Sequence, residues 1–234
     1  MIEFVPYASS SKGNLFTVYD GETKLMIEAG IPWKKIQLAL EFKTSEIEAC
    51  LISHSHGDHS KSAKEVMKAG IDTYALSETF EEIGISSHRA KPIKAKEQFE
   101  IGSWNIVPFG LNHDVPNLGF LLSNRSGEKL IYITDSYYCK YRFKDLTVIA
   151  VECNHAIDIL RENVANGSLA LDLKNRLMES HFSLANVKEF LEANDLSKVQ
   201  EIWLLHLSDG NSDADRFKRE IQEISGKLVY VAEE

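Results

Sequence analysis

No stretch of this chain approaches the roughly 20 consecutive apolar residues of a bilayer-spanning helix, so no membrane partner is expected. The opening residues Met1-Ile2-Glu3-Phe4-Val5-Pro6 lack the basic and apolar regions of a secretion signal, which points to a cytoplasmic protein. Cysteine is sparse and odd in number. Cys50, Cys139 and Cys153 lie within or beside apolar segments, which argues against a disulfide framework and for three reduced thiols. Positive charge is short as well. The 26 lysines and arginines face 35 aspartates and glutamates, a net charge of −9, so a long basic groove gripping nucleic acid is not expected. That sum leaves out bound metal: two divalent ions would place four positive charges at one spot and could still draw an anionic substrate into a pocket. Internal repeats, low-complexity tracts and long linkers are also missing. With 44% apolar residues the 234 positions can bury a substantial core, and they are read as one domain, 1–234.

What the chain does have is histidine in an unusual place. His54-Ser55-His56-Gly57-Asp58-His59 packs four metal-capable side chains into six residues, directly after Ala49-Cys50-Leu51-Ile52-Ser53, an apolar segment that reads as a buried strand. Neutral imidazole suits zinc, iron or manganese, and a carboxylate ligates a metal or orients its water. Histidines two apart on a strand-end loop can converge on one ion, while Asp58 and His59, entering the next helix, can turn toward a second. A solvent-exposed polar turn is the bland alternative, but histidines rarely crowd so tightly by chance.

Along the rest of the chain the pattern predicts a hairpin of Glu3–Tyr7 and Leu15–Tyr19 around a Ser9–Asn14 loop, then a strand at Lys24–Glu28 and a helix over about Pro32–Leu40. Ser60–Ala69 reads as a helix whose Lys61, Lys64 and Lys68 face solvent. Further strands are expected at Trp104–Phe109, Leu118–Leu122, Lys129–Thr134, Thr147–Val151 and Glu201–Leu205. Helices are expected at Ala156–Asn163, Leu171–Met178, Leu184–Asn194 and Asp213–Ser225. Polar, ligand-capable residues sit where apolar strands stop: the histidine run, then His113, Asp135, Glu152 and His206. Groups at one edge of a sheet can converge although they are far apart in sequence. Tyr137, Tyr138 and Tyr141 are read as partly buried core aromatics rather than base-stacking groups, Lys91, Lys94 and Lys96 as a solvated face, and His88 receives no role.

The ordered set HSHGDH, Asn112-His113-Asp114, Thr134-Asp135-Ser136 and Leu205-His206-Leu207-Ser208 resembles the metallo-β-lactamase-fold hydrolases over nearly the whole chain. The resemblance implies an α/β fold, a four-layer αββα sandwich with metals at one edge of its two sheets. It also implies that His54, His56 and His113 bind one divalent ion, that Asp58, His59 and His206 bind a second, and that Asp135 bridges the two. The ions would be zinc or manganese, with iron possible, and a bridging hydroxide would be the nucleophile. Because the superfamily also hydrolyses lactams, thioesters and sulfate esters, the fold does not choose the reaction. Two features push toward phosphodiesters. Asp135 stands where lactamases typically have cysteine. Val151-Glu152-Cys153-Asn154-His155 and Ser180-His181-Phe182-Ser183-Leu184-Ala185 resemble the paired glutamate and histidine motifs of the ribonuclease Z branch. By that analogy Asp58, Glu152 and His181 are the catalytic residues, His181 stabilising charge on phosphorus or protonating the leaving oxygen and Glu152 fixing its tautomer.

In detail the wording is more similar to the YycJ/WalJ-like exonucleases: Ser9-Ser10-Ser11-Lys12-Gly13-Asn14, Glu152-Cys153-Asn154-His155 and His206-Leu207-Ser208-Asp209-Gly210-Asn211 match their segments. Glu28 departs from the aspartate usual in the first motif, and no long Gly/Pro-rich arm or inserted cap domain is visible, which argues against tRNA maturation. The reading is a binuclear metal-dependent phosphodiesterase, a nuclease of exonuclease type acting on nucleic acid or nucleotide phosphodiesters, with a homodimer possible. A cyclic-nucleotide or other small-substrate phosphodiesterase is the first alternative, and a non-catalytic, metal-stabilised interaction domain the second.

Overall fold

A computed structural model describes residues 1–232, so the last two positions of the expected 1–234 domain lie outside the described residues. The described chain forms two compact units, residues 1–110 with 115–129, and residues 111–114 with 130–232.

In the first unit, β1 (Glu3–Ser10), β2 (Gly13–Tyr19) and β3 (Lys24–Ile27) are antiparallel, and after α1 (Trp33–Ala39) the strand β4 (Ile47–Leu51) pairs parallel to β3. Two short helices, α2 (Gly57–Ser60) and α3 (Ala63–Lys68), lead to β5 (Asp72–Ala75), α4 (Ser77–Glu82) and β6 (Ala90–Pro92), completing a sheet in the order β1-β2-β3-β4-β5-β6. Strands β7 (Phe99–Ile101), β8 (Trp104–Leu111) and β9 (Asn117–Ser123) lie side by side. Leu15, Met26, Ile36, Cys50, Ile52 and Val66 form the middle of a buried cluster, and the Trp104 indole donates to the Thr23 carbonyl at 2.9 Å. Because Ile27 pairs with Leu51 in parallel register, the residues that follow β3 and β4 leave the sheet at the same edge.

Two local expectations change. The Ser9–Asn14 loop contracts to a turn at Ser11-Lys12, with Ser10 paired to Gly13, and only glycine fits at position 13, where a Cβ would meet the Ile31 side chain at 2.5 Å and the Gly30 carbonyl at 2.7 Å. The Ser60–Ala69 helix is interrupted at residues 61–62. There the Ser62 N–H donates to the Ala29 carbonyl at 2.8 Å and its hydroxyl to the Ile31 carbonyl at 2.7 Å, while the Asp58 carbonyl accepts from Asn14 Nδ2 at 3.2 Å. Tertiary partners have taken both ends of what would be an intrahelical bond. Lys61, Lys64 and Lys68 are exposed.

The second unit is built on four parallel strands in the order β10 (Lys129–Ile133), β11 (Val148–Glu152), β12 (Glu201–Leu205) and β13 (Leu228–Val231). All five residues of β11 are buried, the apolar run Val148–Val151 of a central parallel strand followed by Glu152 at its end. Three helices, α5 (Ile157–Ala165), α6 (Leu171–Ser180) and α7 (Leu184–Glu192), connect β11 to β12, and α8 (Ala214–Ser225) connects β12 to β13. Phe217 and Ile221, four residues apart, form the buried stripe of α8; Asp213 caps its start and Gly226, at φ +64°, ends it. Cys50, Cys139 and Cys153 are buried free thiols, and burial lifts Cys139 to about 11 and the other two well above the ordinary thiol value. Among the described residues no helix is long and apolar enough to cross a membrane.

Candidate metal centre

In the first unit the histidine run leaves β4 and is braced from two sides. His54, His56 and His59 crowd together, with ring centroids 4.8 Å apart for His54 and His56 and 4.2 Å for His54 and His59. His54 Nε2 lies 3.1 Å from His56 Nδ1, and the Ser53 hydroxyl lies 2.9 Å from His54 Nδ1. Asp58 Oδ2 is 3.4 Å from His59 Nε2. Glu28, fully buried and held at φ +65°, places one carboxylate oxygen 3.3 Å from His59 Nδ1 and accepts from the Ser53 N–H at 3.3 Å with the other. Its own N–H donates to the Leu51 carbonyl at 2.8 Å, which ties the end of β3 to the end of β4. From the other side Asn14 Nδ2 reaches His59 Nε2 at 3.2 Å and the Ser10 carbonyl at 3.1 Å. Gly30 fits beneath the run only because it lacks a side chain: a Cβ there would collide with the Asp58 carbonyl.

In the second unit the parallel sheet delivers its polar residues at the C-terminal ends of adjacent strands, the edge at which open α/β sheets bind ligands. Ile133 pairs with Val151 and Glu152 with Leu205, so Asp135, Glu152 and His206 come out together. Asp135 and His206 both sit at positive φ, +45° and +52°. Conformations of that kind cost on the order of 1–3 kcal/mol each and gather where function constrains the chain. His206 Nδ1 is 2.7 Å from Asp135 Oδ1, which also accepts from the Thr134 hydroxyl at 2.8 Å. Glu152 is wholly buried and fully engaged. Its Oε2 accepts from the N–H groups of Ser136 and Phe182, both at 3.1 Å, while its Oε1 lies 2.5 Å from His181 Nδ1 and 3.4 Å from His206 Nδ1. His181 follows α6, and Ser183 then caps α7 by accepting from the Asn186 N–H at 3.1 Å. His113 Nδ1 sits 3.1 Å from the Ser180 carbonyl and its Nε2 3.7 Å from Asp135 Oδ2.

Burial and charge compete at these rings. For His206 burial favours the neutral ring, but the Asp135 and Glu152 carboxylates outweigh it and lift the imidazole to about 10. For His181 burial pulls down and Glu152 pulls up, leaving it above the ordinary histidine value; burial keeps His113 below it. Glu152 is drawn below the usual carboxylate range by His181 although burial opposes this. Such a carboxylate–imidazole cluster is also what a divalent cation needs, with the metal taking the place of the protons. Asp135, Glu152, His181 and His206 each offer a ligand atom within 4.8 Å of the others, and the nitrogens of His54 and His56 converge in the first unit. Nitrogen and carboxylate donors of this kind fit zinc, manganese or iron.

The structure therefore gathers His54, His56, Asp58 and His59 in one unit, and His113, Asp135, Glu152, His181 and His206 in the other. Three bracing residues stand outside the expected ligand and catalytic set. In the sequence Asn14 is the end of a Ser/Gly-rich loop, and Glu28 a departure from aspartate whose longer arm bears on the position of the HSHGDH loop. Asn154, expected with His155 either to line a pocket or to cap a loop, donates from Nδ2 to the His206 carbonyl at 2.9 Å. Neighbouring His155 is 1% exposed, its Nδ1 has no hydrogen-bond partner among the described residues, and burial lowers it to about 4. Lys91 pairs with Asp72 and Lys94 with Glu97 at the surface, His88 is exposed, and Tyr137 is 40% exposed.

Solved structures share this arrangement of elements. The metallo-β-lactamase fold protein YhfI from Bacillus subtilis matches with a TM-score of 0.76 at 14% identity, covering 99% of this chain and 96% of its own. The short form of human tRNase Z matches at 0.65 and 13% identity, covering 100% and 97%. The fold is thus the metallo-β-lactamase fold. Residues 28–207 match the family described as the Beta-lactamase superfamily domain, and the chain belongs to that family. Among curated relatives, exodeoxyribonuclease WalJ of Streptococcus pneumoniae is 29% identical over 222 residues, covering 88% of this chain and 81% of its own. Exodeoxyribonuclease YycJ of Bacillus anthracis is 24% identical over 241 residues, covering 95% and 89%.

Proposed function

We propose that this chain is a metal-dependent phosphodiesterase of the cytoplasm, a nuclease that removes nucleotides from the end of a nucleic-acid strand. The observation that carries the reading is the Glu152–His181 pair, 2.5 Å apart in the same unit as His113, Asp135 and His206. Its support from relatives is the exodeoxyribonuclease name carried by both curated proteins above. We assign His54, His56 and His113 to one divalent ion, Asp58, His59 and His206 to a second, and Asp135 to both, within one hydrolase domain. Bound divalent ions supply Lewis acidity and a water acidic enough to attack near neutral pH, with zinc, manganese and iron all compatible with the donors.

The protein's own residues do the remaining work. Glu152, fixed by two backbone N–H groups, holds the proton on His181 Nδ1 and so orients the ring. Nε2 of His181 is then the atom that donates a proton to the leaving oxygen, a role worth about 10²–10⁴-fold. His113, with Nδ1 turned to the Ser180 carbonyl, presents Nε2 for coordination. A second reading, hydrolysis of a small cyclic nucleotide, is favoured by the net charge of −9.

Protein reconstituted with zinc, manganese, iron or cobalt, given 5′-labelled oligonucleotides and 3′,5′-cyclic nucleotides, separates the two. The nuclease reading expects mononucleotides released from oligonucleotide ends. Turnover confined to the cyclic compounds would reject it.

A further inference from the structure

We propose that the cleft of about 390 Å³ between α3 and the segment leading into β6 holds a non-scissile phosphate of the nucleic-acid strand, with Lys64 and Lys68 as its cations. The inference rests on the nuclease reading and deepens it to a polymeric substrate, because a cyclic nucleotide has only one phosphate.

One wall is Lys64, Met67 and Lys68 of α3, the other is residues 85–89, and among the described residues no aspartate or glutamate contributes to either. That composition runs against a net charge of −9. Another cleft of the same unit shows the contrast: its lysines are neutralised, Lys24 by Glu46 at 3.3 Å and Lys43 by Glu41 at 2.7 Å. Lys64 and Lys68 are exposed, and neither forms an ion pair among the described residues. Four residues apart, they stand one above the other on a single face of the helix. Beside them Arg89 and Lys91 share one carboxylate, Asp72, at 2.8 Å and 3.4 Å, so positive charge stays in excess. Arg89 commits Nη1 to that pair and keeps the rest of its five-donor fork. The Ser87 hydroxyl accepts from the Arg89 N–H at 3.2 Å, which leaves its own hydrogen to donate. Ammonium, guanidinium and hydroxyl donors without a competing acid suit a phosphodiester monoanion. Met67 belongs to the buried cluster and Ile85 packs against it, an apolar surface on which the sugar can rest.

The segment opposite α3 is pinned by its backbone. The Ile85 N–H donates to the Phe80 carbonyl at 2.9 Å, the Thr73 N–H to the Arg89 carbonyl at 2.8 Å, and Lys91 Nζ to the His88 carbonyl at 3.0 Å. Its donors are therefore held in place before a ligand arrives, which cuts the ordering cost of binding. The cleft also continues from the proposed ligand loop along the chain. Lys64 stands five residues after His59, and the six residues of α3 extend about 9 Å. Lys61, exposed and without an ion pair among the described residues, lies between them. A strand cut at the ligand loop can thus lay its following phosphates along a row of uncompensated lysines that ends in the cleft.

The test compares wild type, Lys64→Ala/Lys68→Ala and Lys64→Arg/Lys68→Arg on a 5′-labelled single-stranded oligonucleotide and on bis(4-nitrophenyl) phosphate, which carries one phosphate. Lys34→Ala/Lys35→Ala is the control, removing two exposed lysines of the same unit that do not line the cleft. The cleft alanine pair should raise KM for the oligonucleotide roughly tenfold and flatten the plot of log(kcat/KM) against log[salt] by about 0.7, the share of one phosphate contact on a single strand. Its kcat, its turnover of the small diester and its metal content should match wild type, and the arginine pair should restore the oligonucleotide values. Unchanged oligonucleotide KM and salt slope, equal losses on both substrates, or an equal effect of the control pair would overturn the anion site while leaving the nuclease reading intact. A wild-type protein that turns over the small diester but no oligonucleotide would sink both.

Discussion

Replacing His181 with alanine isolates the chemistry assigned to the second unit. His181 Nδ1 is 2.5 Å from Glu152 Oε1, and Glu152 is held independently of it by the N–H groups of Ser136 and Phe182. Removing the ring therefore leaves its partner anchored, and His206 retains Asp135 at 2.7 Å. The expected loss is about 10²–10⁴-fold in kcat, or about 2.7–5.4 kcal/mol of transition-state stabilisation. Glu152→Gln probes the same unit from behind. Its amide oxygen can still accept the backbone N–H groups, but its nitrogen would donate to His181 Nδ1. The ring would then be neutral with its proton on Nε2, a far weaker acid than imidazolium. Glu152→Gln should approach the rate of His181→Ala, and the double variant should be no slower than His181→Ala alone, because groups that act together do not add. Single-turnover rates on a labelled oligonucleotide, with metal content by plasma mass spectrometry, provide the assay. If His181→Ala lost metal, or if the two defects multiplied, the division of labour drawn here would be wrong.

Three further outcomes follow from packing and burial. Gly30→Ala should lower the melting temperature and metal content together, since its Cβ meets the backbone of Asp58 and, at 2.8 Å, of Asn14; overpacking costs typically about 1–3 kcal/mol. An unchanged melt and metal load would show that the loop yields freely. Asp213→Ala should cost about 1 kcal/mol in urea denaturation by removing the α8 cap, whose Oδ1 accepts from the Arg216 N–H at 2.9 Å, with activity unaffected; no shift in midpoint would deny the cap its weight. His155, lowered by burial from 6.5 to about 4, is neutral in the folded chain while the unfolded chain takes up its proton near 6.5. Its contribution is therefore present above pH 6.5 and lost as pH falls toward 4, on the order of 3 kcal/mol in all. Comparing denaturation midpoints of wild type and His155→Leu across that window should show a shallower acid decline in the variant, and parallel curves would refute the buried neutral ring.

The ligand-capable residues were legible because their chemistry is local or periodic. Six residues hold the HSHGDH run, and Asp135, Glu152 and His206 each follow an apolar run long enough to read as a strand. Less legible was anything that depends on what meets the chain from elsewhere. The helix expected over Ser60–Ala69 has suitable residues throughout, yet Ala29, Ile31 and Asn14 claim its hydrogen bonds at residues 58 and 62. The Ser9–Asn14 loop shrank to a turn in which Gly13 lies against Gly30 and Ile31, seventeen and eighteen positions away.

Residue order alone determined the kinds of donor atom available and the strand ends that carry them, since hydrophobic alternation and strand-end polarity are written in neighbouring positions. Tertiary structure alone decided which backbone would be forced to positive φ at Glu28, Asp135 and His206, and which buried oxygens would fix His181 and His59. Those are matters of distance across the fold. A carboxylate orients an imidazole only at about 3 Å, and no spacing along the chain between residues 28 and 59 or 152 and 181 specifies that approach.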